Sequence, residues 1–204
     1  MTDNYAAIID NNIQRLFAMD LSERAGALPA CRQGQAMVFT ALGRSCTISP
    51  QGLFLDKTPL NGPLGIVISL YALQATSETG VWEPFKSFKD LPNSMPYVGA
   101  FSHRTELALV PVVPRLAAVR SRIMEQMGGA DAPLIVGGDL AFVVRPLPKI
   151  ALCYVCYAED EDFAASVTCL YSRNADCFLT TDALADLGEY TSKAILAMVE
   201  ASLA

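Results

Sequence analysis

Pro148-Lys149-Ile150-Ala151-Leu152-Cys153-Tyr154-Val155-Cys156-Tyr157-Ala158-Glu159-Asp160-Glu161-Asp162-Phe163-Ala164-Ala165-Ser166 is the stretch on which the fold turns, because an apolar run ends there in four consecutive acids. Both alternating faces of residues 150–157 are apolar: Ile150, Leu152, Tyr154 and Cys156 on one, Ala151, Cys153, Val155 and Tyr157 on the other. A strand reads this way when it runs through the middle of a sheet covered on both sides. Glu159, Asp160, Glu161 and Asp162 then belong at a rim of the core, since an unpaired buried carboxylate is strongly destabilising.

Working outward, residues 140–145 read as a second strand, reached through Pro146-Leu147-Pro148, a rigid bend expected to limit how the two strands pair. Residues 165–171 fit either strand or helix, and Thr181 or Asp182 can cap a helix over 182–202, bent at Gly188. Toward the N-terminus, residues 97–106 fit a short helix carrying Phe101, the sole histidine His103, and Arg104. A further helix starts near Pro114, has Leu116, Val119, Ile123 and Met127 inward, and stops at Gly128-Gly129. Residues 64–75 are apolar nearly all round and predict a helix in the middle of the fold. The connection 76–96 holds the only tryptophan, Trp82, with Phe85 and Phe88, rings that pin a long loop to the core. Residues 35–56 read as an antiparallel meander with turns at Gly43-Arg44 and Ser49-Pro50-Gln51-Gly52. Tyr5, Ile8, Ile9, Asn12, Ile13, Leu16 and Phe17 form one helical stripe over 3–19, with Thr2 or Asp3 as N-cap. The expectation is a single α+β domain spanning 1–204: N-terminal helix 3–19, meander 35–56, helical middle 64–127, strands and acidic turn 139–163, C-terminal helix 182–202. Roughly four helices pack on a mainly antiparallel sheet.

The chain has 204 residues and a net charge of −6, spread unevenly as 0 over residues 1–60, +1 over 61–130 and −7 over 131–204. An acidic chain with no basic cluster is a poor nucleic-acid binder. The longest apolar run, about residues 63–75, is shorter than the roughly 20 residues of a membrane helix, and residues 1–5 lack a basic leader, so a soluble cytoplasmic protein is expected. Six cysteines, Cys31, Cys46, Cys153, Cys156, Cys169 and Cys177, invite a metal reading. On a strand, however, Cys153 and Cys156 point to opposite faces and cannot share an ion. Only if the segment were a turn could Cys169 and Cys177 complete a set of four. Buried reduced thiols are the reading adopted; no metal is assigned and the cofactor is left open.

Gly137-Gly138-Asp139 precedes a strand and so reads as a turn, not a phosphate loop, whose glycines lie between a strand and a helix N-terminus. No nucleotide-loop, zinc-protease or serine-hydrolase motif is present, and a histidine-based triad could be built only on His103. The four acids lack calcium-loop spacing.

Several of these residues form an ordered series: Leu42-Gly43-Arg44, Leu70-Tyr71-Ala72-Leu73, Phe88 to Leu91-Pro92, Tyr97, Phe101, Arg104, Gly138-Asp139, Leu147-Pro148, Asp160-Glu161-Asp162-Phe163 with Ser166, and Leu179-Thr180-Thr181-Asp182. In that series the chain resembles the domain-of-unknown-function family three-seven-eight-six, over most of residues 35–190. The resemblance implies an anaerobic setting and, because some relatives are fused to iron–sulfur modules, a redox or corrinoid protein as neighbour. The chain departs from the family pattern at Leu70-Tyr71, where His-Tyr-Leu is usual, and has Tyr157 in place of Trp. No cysteine array here corresponds to the fused modules.

An acidic rim beside aromatics, with no recognisable catalytic set, favours a ligand-binding or accessory domain whose candidate residues are Tyr97, Phe101, Arg104, Asp139, Tyr157, Asp160, Glu161 and Asp162. An enzyme using carboxylates of the 159–162 turn with Arg104 is the alternative, and a structural homodimer the second. Arg104 is expected to pair with the acidic turn, with Lys149 or Arg173 as substitutes.

Overall fold

In the computed structural model, which describes residues 2–202 and their side chains from residue 4 onward, the N-terminal stripe becomes α1 (Thr2–Phe17), burying Ile9, Asn12, Ile13 and Leu16 but leaving Tyr5 and Ile8 of the expected stripe exposed. The cap expected at Thr2 or Asp3 falls on side chains outside the described residues. The helix ends earlier than residue 19 because Asp20 starts another: its carboxylate accepts from the Ser22 and Glu23 amides at 2.7 and 2.9 Å, capping α2 (Leu21–Ala27). So short a helix leaves too little periodicity to be read from sequence.

The meander forms, with one more strand at each edge: β1 (Cys31–Gln33), β2 (Ala36–Ala41), β3 (Arg44–Ser49), β4 (Gly52–Leu55) and β5 (Thr58–Pro59) pair antiparallel in chain order. The first tight turn centres on Leu42-Gly43, at φ 50° and 74°, rather than on Gly43-Arg44. Two positive φ values match the twist of a two-residue hairpin. A side chain at Gly43 would also put its Cβ 2.6 Å from the Gln126 carbonyl oxygen. Helix α3 (Pro63–Gln74) is central as expected, with Val67, Ile68, Tyr71 and Ala72 all shielded. Helix α1 crosses it through a buried bond from Asn12 Nδ2 to Ser69 Oγ of 3.0 Å.

After α3 the long connection contributes β6 (Lys86–Ser87) and then enters α4 (Val98–Phe101). The two separate helices expected over 97–106 and 114–127 are one helical path of changing pitch. A π turn (Ser102–Glu106) and a 3-10 stretch (Leu107–Val112) lead without a break into α5 (Val113–Gln126). Pro111 has no N–H to give an α-helical bond, so the path tightens there, while Pro114 sits harmlessly in the first turn of α5.

The second sheet has the order β6-β10-β9-β8-β7, all antiparallel, from β7 (Ala130–Asp131), β8 (Leu140–Leu147), β9 (Ile150–Tyr157) and β10 (Ser166–Tyr171). The single sheet expected from sequence is therefore two. Strand β9 is its middle strand and is buried from Ile150 to Cys156. Ile150, Leu152, Tyr154 and Cys156 face the main core, which runs from Ile9 to Val199 and spans both sheets. Ala151, Cys153 and Val155 face a second cluster, covered by Trp82 and Phe85 of the long connection. Pro146 lies within β8, not in a bend after it. A register irregularity between Val144 and Leu147 accommodates it, and its carbonyl accepts the Leu42 amide at 2.7 Å, joining the two sheets. Residues 166–171 are strand because Ser166 to Tyr171 pair with Tyr157 to Leu152.

Helix α6 (Thr181–Ala201) closes the core with Leu184, Leu187, Ile195 and Val199. Its N-cap is Thr180 rather than Thr181 or Asp182; the Thr181 hydroxyl donates instead to the Pro92 carbonyl at 2.7 Å. The longer helices α1, α3, α5 and α6 are joined by the short α2 and α4, so the count differs slightly from the expected four, on an α+β plan. Among the described residues no helix is long and apolar enough to cross a membrane.

Candidate functional site

Asp182, Asp186 and Glu189 follow one another by four and three residues and so share a face of α6. Opposite that face run α4 and the π turn. Gly188 lets the two approach: a Cβ there would lie 2.6 Å from the Tyr171 hydroxyl, 2.8 Å from Phe101 Cε2 and 3.0 Å from Thr105 Oγ1. The floor beneath is stiff. Phe101 stacks on Phe88 with ring centroids 4.2 Å apart and 12° between planes, and the Tyr171 hydroxyl donates to the Leu184 carbonyl at 2.6 Å. Tyr97, Ala100, Phe101 and Ala185 thus line a groove of about 160 Å³ walled by Arg104, Asp182, Asp186 and Glu189.

The walls are not electrically equal. Glu189 accepts from Lys193 Nζ at 2.6 Å and from Arg104 Nη1 at 3.3 Å. Partial burial pushes its pKa up, but the hydrogen bonds and charge of Lys193 and Arg104 outweigh that and hold it below the usual value. Asp186 is raised instead, first by desolvation and then by Glu189 and Asp182, with Arg104 and Lys193 opposing. Among the described residues no ion pair engages Asp182 or Asp186, which stand exposed at the rim of the apolar floor.

The eight residues singled out from sequence do not line one concavity. Tyr97, Phe101 and Arg104 belong to this groove. Asp139, Tyr157, Asp160, Glu161 and Asp162 lie where the start of β8 meets the end of β9: Asp139 accepts the Ala158 amide at 2.8 Å, and Tyr157 is the last residue of β9. All four acids of the turn are exposed. Asp160 holds the turn itself, accepting from the Asp162 and Phe163 amides at 2.9 and 2.7 Å. The pairing of Arg104 with that turn is corrected, because its carboxylate partner is Glu189 of α6. Lys149 is not the substitute either. Its Nζ donates to the Thr76 and Glu78 carbonyls, both at 2.7 Å, and lies 5.4 Å from the Phe178 ring centre. The carboxylates of α6 were missed from sequence although their spacing was visible, since an acidic helix face ordinarily meets only water.

Cys153 and Cys156 sit on opposite faces of β9, as the strand reading requires. Cys31 and Cys177 are exposed, which corrects the reading of all six thiols as buried. Burial pushes Cys46 and Cys156 up to about 12 and Cys153 to about 11, so these thiols are poor nucleophiles. Cys177 is raised too, by desolvation and then by Glu78 and Asp176.

No curated protein and no solved structure matches the chain. A family model does, over residues 20–194, which takes in both sheets and every wall of the groove, and on that match the chain belongs to the family described as Domain of unknown function (DUF3786).

Proposed function

We propose that the protein is a binding module that takes the cationic head of a small ligand in the groove between α4 and α6. The observation that supports this reading is a pair of carboxylates, Asp182 and Asp186, that no ion pair engages among the described residues, above a floor of Tyr97, Ala100, Phe101 and Ala185. An ammonium or guanidinium group would relieve their mutual repulsion and lie near the Tyr97 ring. A volume of about 160 Å³ is small for a whole cofactor and suits the head of a ligand. The family resemblance supports an accessory role in anaerobic metabolism, beside a redox or corrinoid protein. Nuclear magnetic resonance titration with butylammonium and with arginine methyl ester tests the reading. Saturable shifts at Tyr97, Ala100 and Ala185 are expected, lost in Asp182→Asn/Asp186→Asn; shifts that survive the double substitution overturn it.

The raised Asp186 also supports a second reading, an acid–base enzyme in which Asp186, not the 159–162 turn, works beside Arg104. Binding that persists in Asp186→Asn while turnover of the bound compound stops would favour the enzyme.

A further inference from the structure

Away from the groove, the loop joining β7 to β8 reads Pro133-Leu134-Ile135-Val136-Gly137-Gly138, and Leu134 and Ile135 stand in solvent, 103% and 93% exposed. The base of the loop is firmly held. The Asp139 amide donates to the Cys156 carbonyl at 3.0 Å, and a Cβ on Gly138 would come within 2.7 Å of Val155 Cγ1. Val136 turns inward onto the Cys153 and Val155 face of the sheet, which leaves Leu134 and Ile135 as the outward pair. Ile135 also lines a mainly apolar hollow with Pro84, Phe85, Pro133 and Val136, edged by Glu83.

The same clamp sets this loop at the end of the sheet where β9 gives way to the acidic turn. Phe163, 72% exposed, is presented there on backbone fixed by Asp160. Single exposed apolar residues are ordinary, but three large ones at one end of a sheet, next to an apolar hollow and an acidic rim, mark an interaction surface.

We propose that this end of the sheet docks another protein, one whose contact face offers apolar side chains surrounded by lysine and arginine. Charge selects that occupant. Glu159, Glu161 and Asp162 are exposed, and among the described residues no ion pair engages them. A second copy is a poor occupant: residues 131–204 carry −7 and Arg120 is already paired with Asp131, so a two-fold contact would set acidic turn near acidic turn. An anionic bilayer meets the same repulsion.

The test uses the full chain and a fluorescent amphipathic leucine–lysine peptide, with binding followed by anisotropy and mapped by amide shifts. Shifts confined to residues 133–139 and 158–165 are expected. Leu134→Ser/Ile135→Ser should weaken binding about tenfold, as loss of apolar anchors does, and Glu159→Gln/Glu161→Gln/Asp162→Asn should weaken it several-fold and flatten its salt dependence. Both variants keep the wild-type melting temperature, because the replaced side chains bury little. The proposal is overturned if either variant binds as wild type or if the shifts centre on α6. Wild-type dimerisation abolished by Leu134→Ser/Ile135→Ser would assign the face to a second copy and overturn it. Flotation with phosphatidylcholine or phosphatidylserine vesicles, lost in that variant, would assign it to lipid and overturn it likewise.

Discussion

Gly188 shows how one missing methyl group shapes the groove. By helix propensity alone, Gly188→Ala in the middle of α6 should stabilise the protein by about 1 kcal/mol. The new Cβ, however, would meet the Tyr171 hydroxyl, Phe101 and Thr105 at 2.6 to 3.0 Å. Tyr171 is tied to Leu184 and Phe101 is stacked on Phe88, so neither can yield cheaply. Overpacking of this kind costs about 1–3 kcal/mol and should win. The expected result is a lowered urea midpoint; an unchanged or raised one would mean the aromatic floor is soft. Arg104 is the contrasting case. Its side chain is 60% exposed, and exposed ion pairs contribute about 1 kcal/mol or less. Arg104→Ala should hardly move the denaturation curve, yet it should raise the Glu189 pKa toward normal in a carboxyl titration followed by nuclear magnetic resonance.

At the scale of elements, β10 has a short neighbour on its outer side, because β6 pairs only with Leu170 and Tyr171. The Cys169 amide beyond that pairing is satisfied by the Glu106 carboxylate at 3.1 Å, from the end of the π turn. An irregular helical turn thereby closes a sheet edge, and Cys169 is shielded. Glu106→Ala should strand a buried N–H and cost about 1–3 kcal/mol. Glu106→Gln keeps an acceptor oxygen and should recover most of the loss. Urea unfolding compares the variants, and hydrogen exchange at Cys169 should accelerate in the alanine variant alone. Equal stability in all three proteins would remove this edge-capping role.

For the whole molecule, burying β9 on both faces, and the inward sides of β3 and β10, commits several thiols to low-dielectric surroundings. Cys46 and Cys156 are pushed to about 12, Cys153 to about 11, and Cys169 also well up, each chiefly by burial. An unfolded chain releases these protons near pH 8.5–9, while the folded protein keeps them. Their stabilisation is therefore complete below that pH and is lost as pH rises toward the folded values. Each thiol withdraws about 1.4 kcal/mol per pH unit within its window. Several acting together approach the roughly 5–15 kcal/mol total stability of a domain within a unit or two. Melting temperature should accordingly fall steeply between about pH 9 and 11. Cys153→Ala should make that fall shallower. A flat profile would show that the thiols ionise without unfolding the sheet.

Local patterning was enough to place β9 at the centre of a sheet, α1 on its apolar stripe, and α3 inside the core. In each case the pattern repeats within one element, and burial acts on that repeat directly. The aromatics of the long connection were likewise legible, since Trp82 and Phe85 had few places to go except the open face of β9. What covers a face is another matter. Arg104 meets Glu189 across 85 residues of sequence, and which carboxylate it meets depends on the close crossing that Gly188 allows between α6 and the π turn. The acids of α6 and those after β9 look alike as strings of letters. Periodicity states which side of an element turns inward; only the packing of distant elements decides that one set of carboxylates walls a groove with Tyr97 and Phe101 while the other rims an exposed apolar loop.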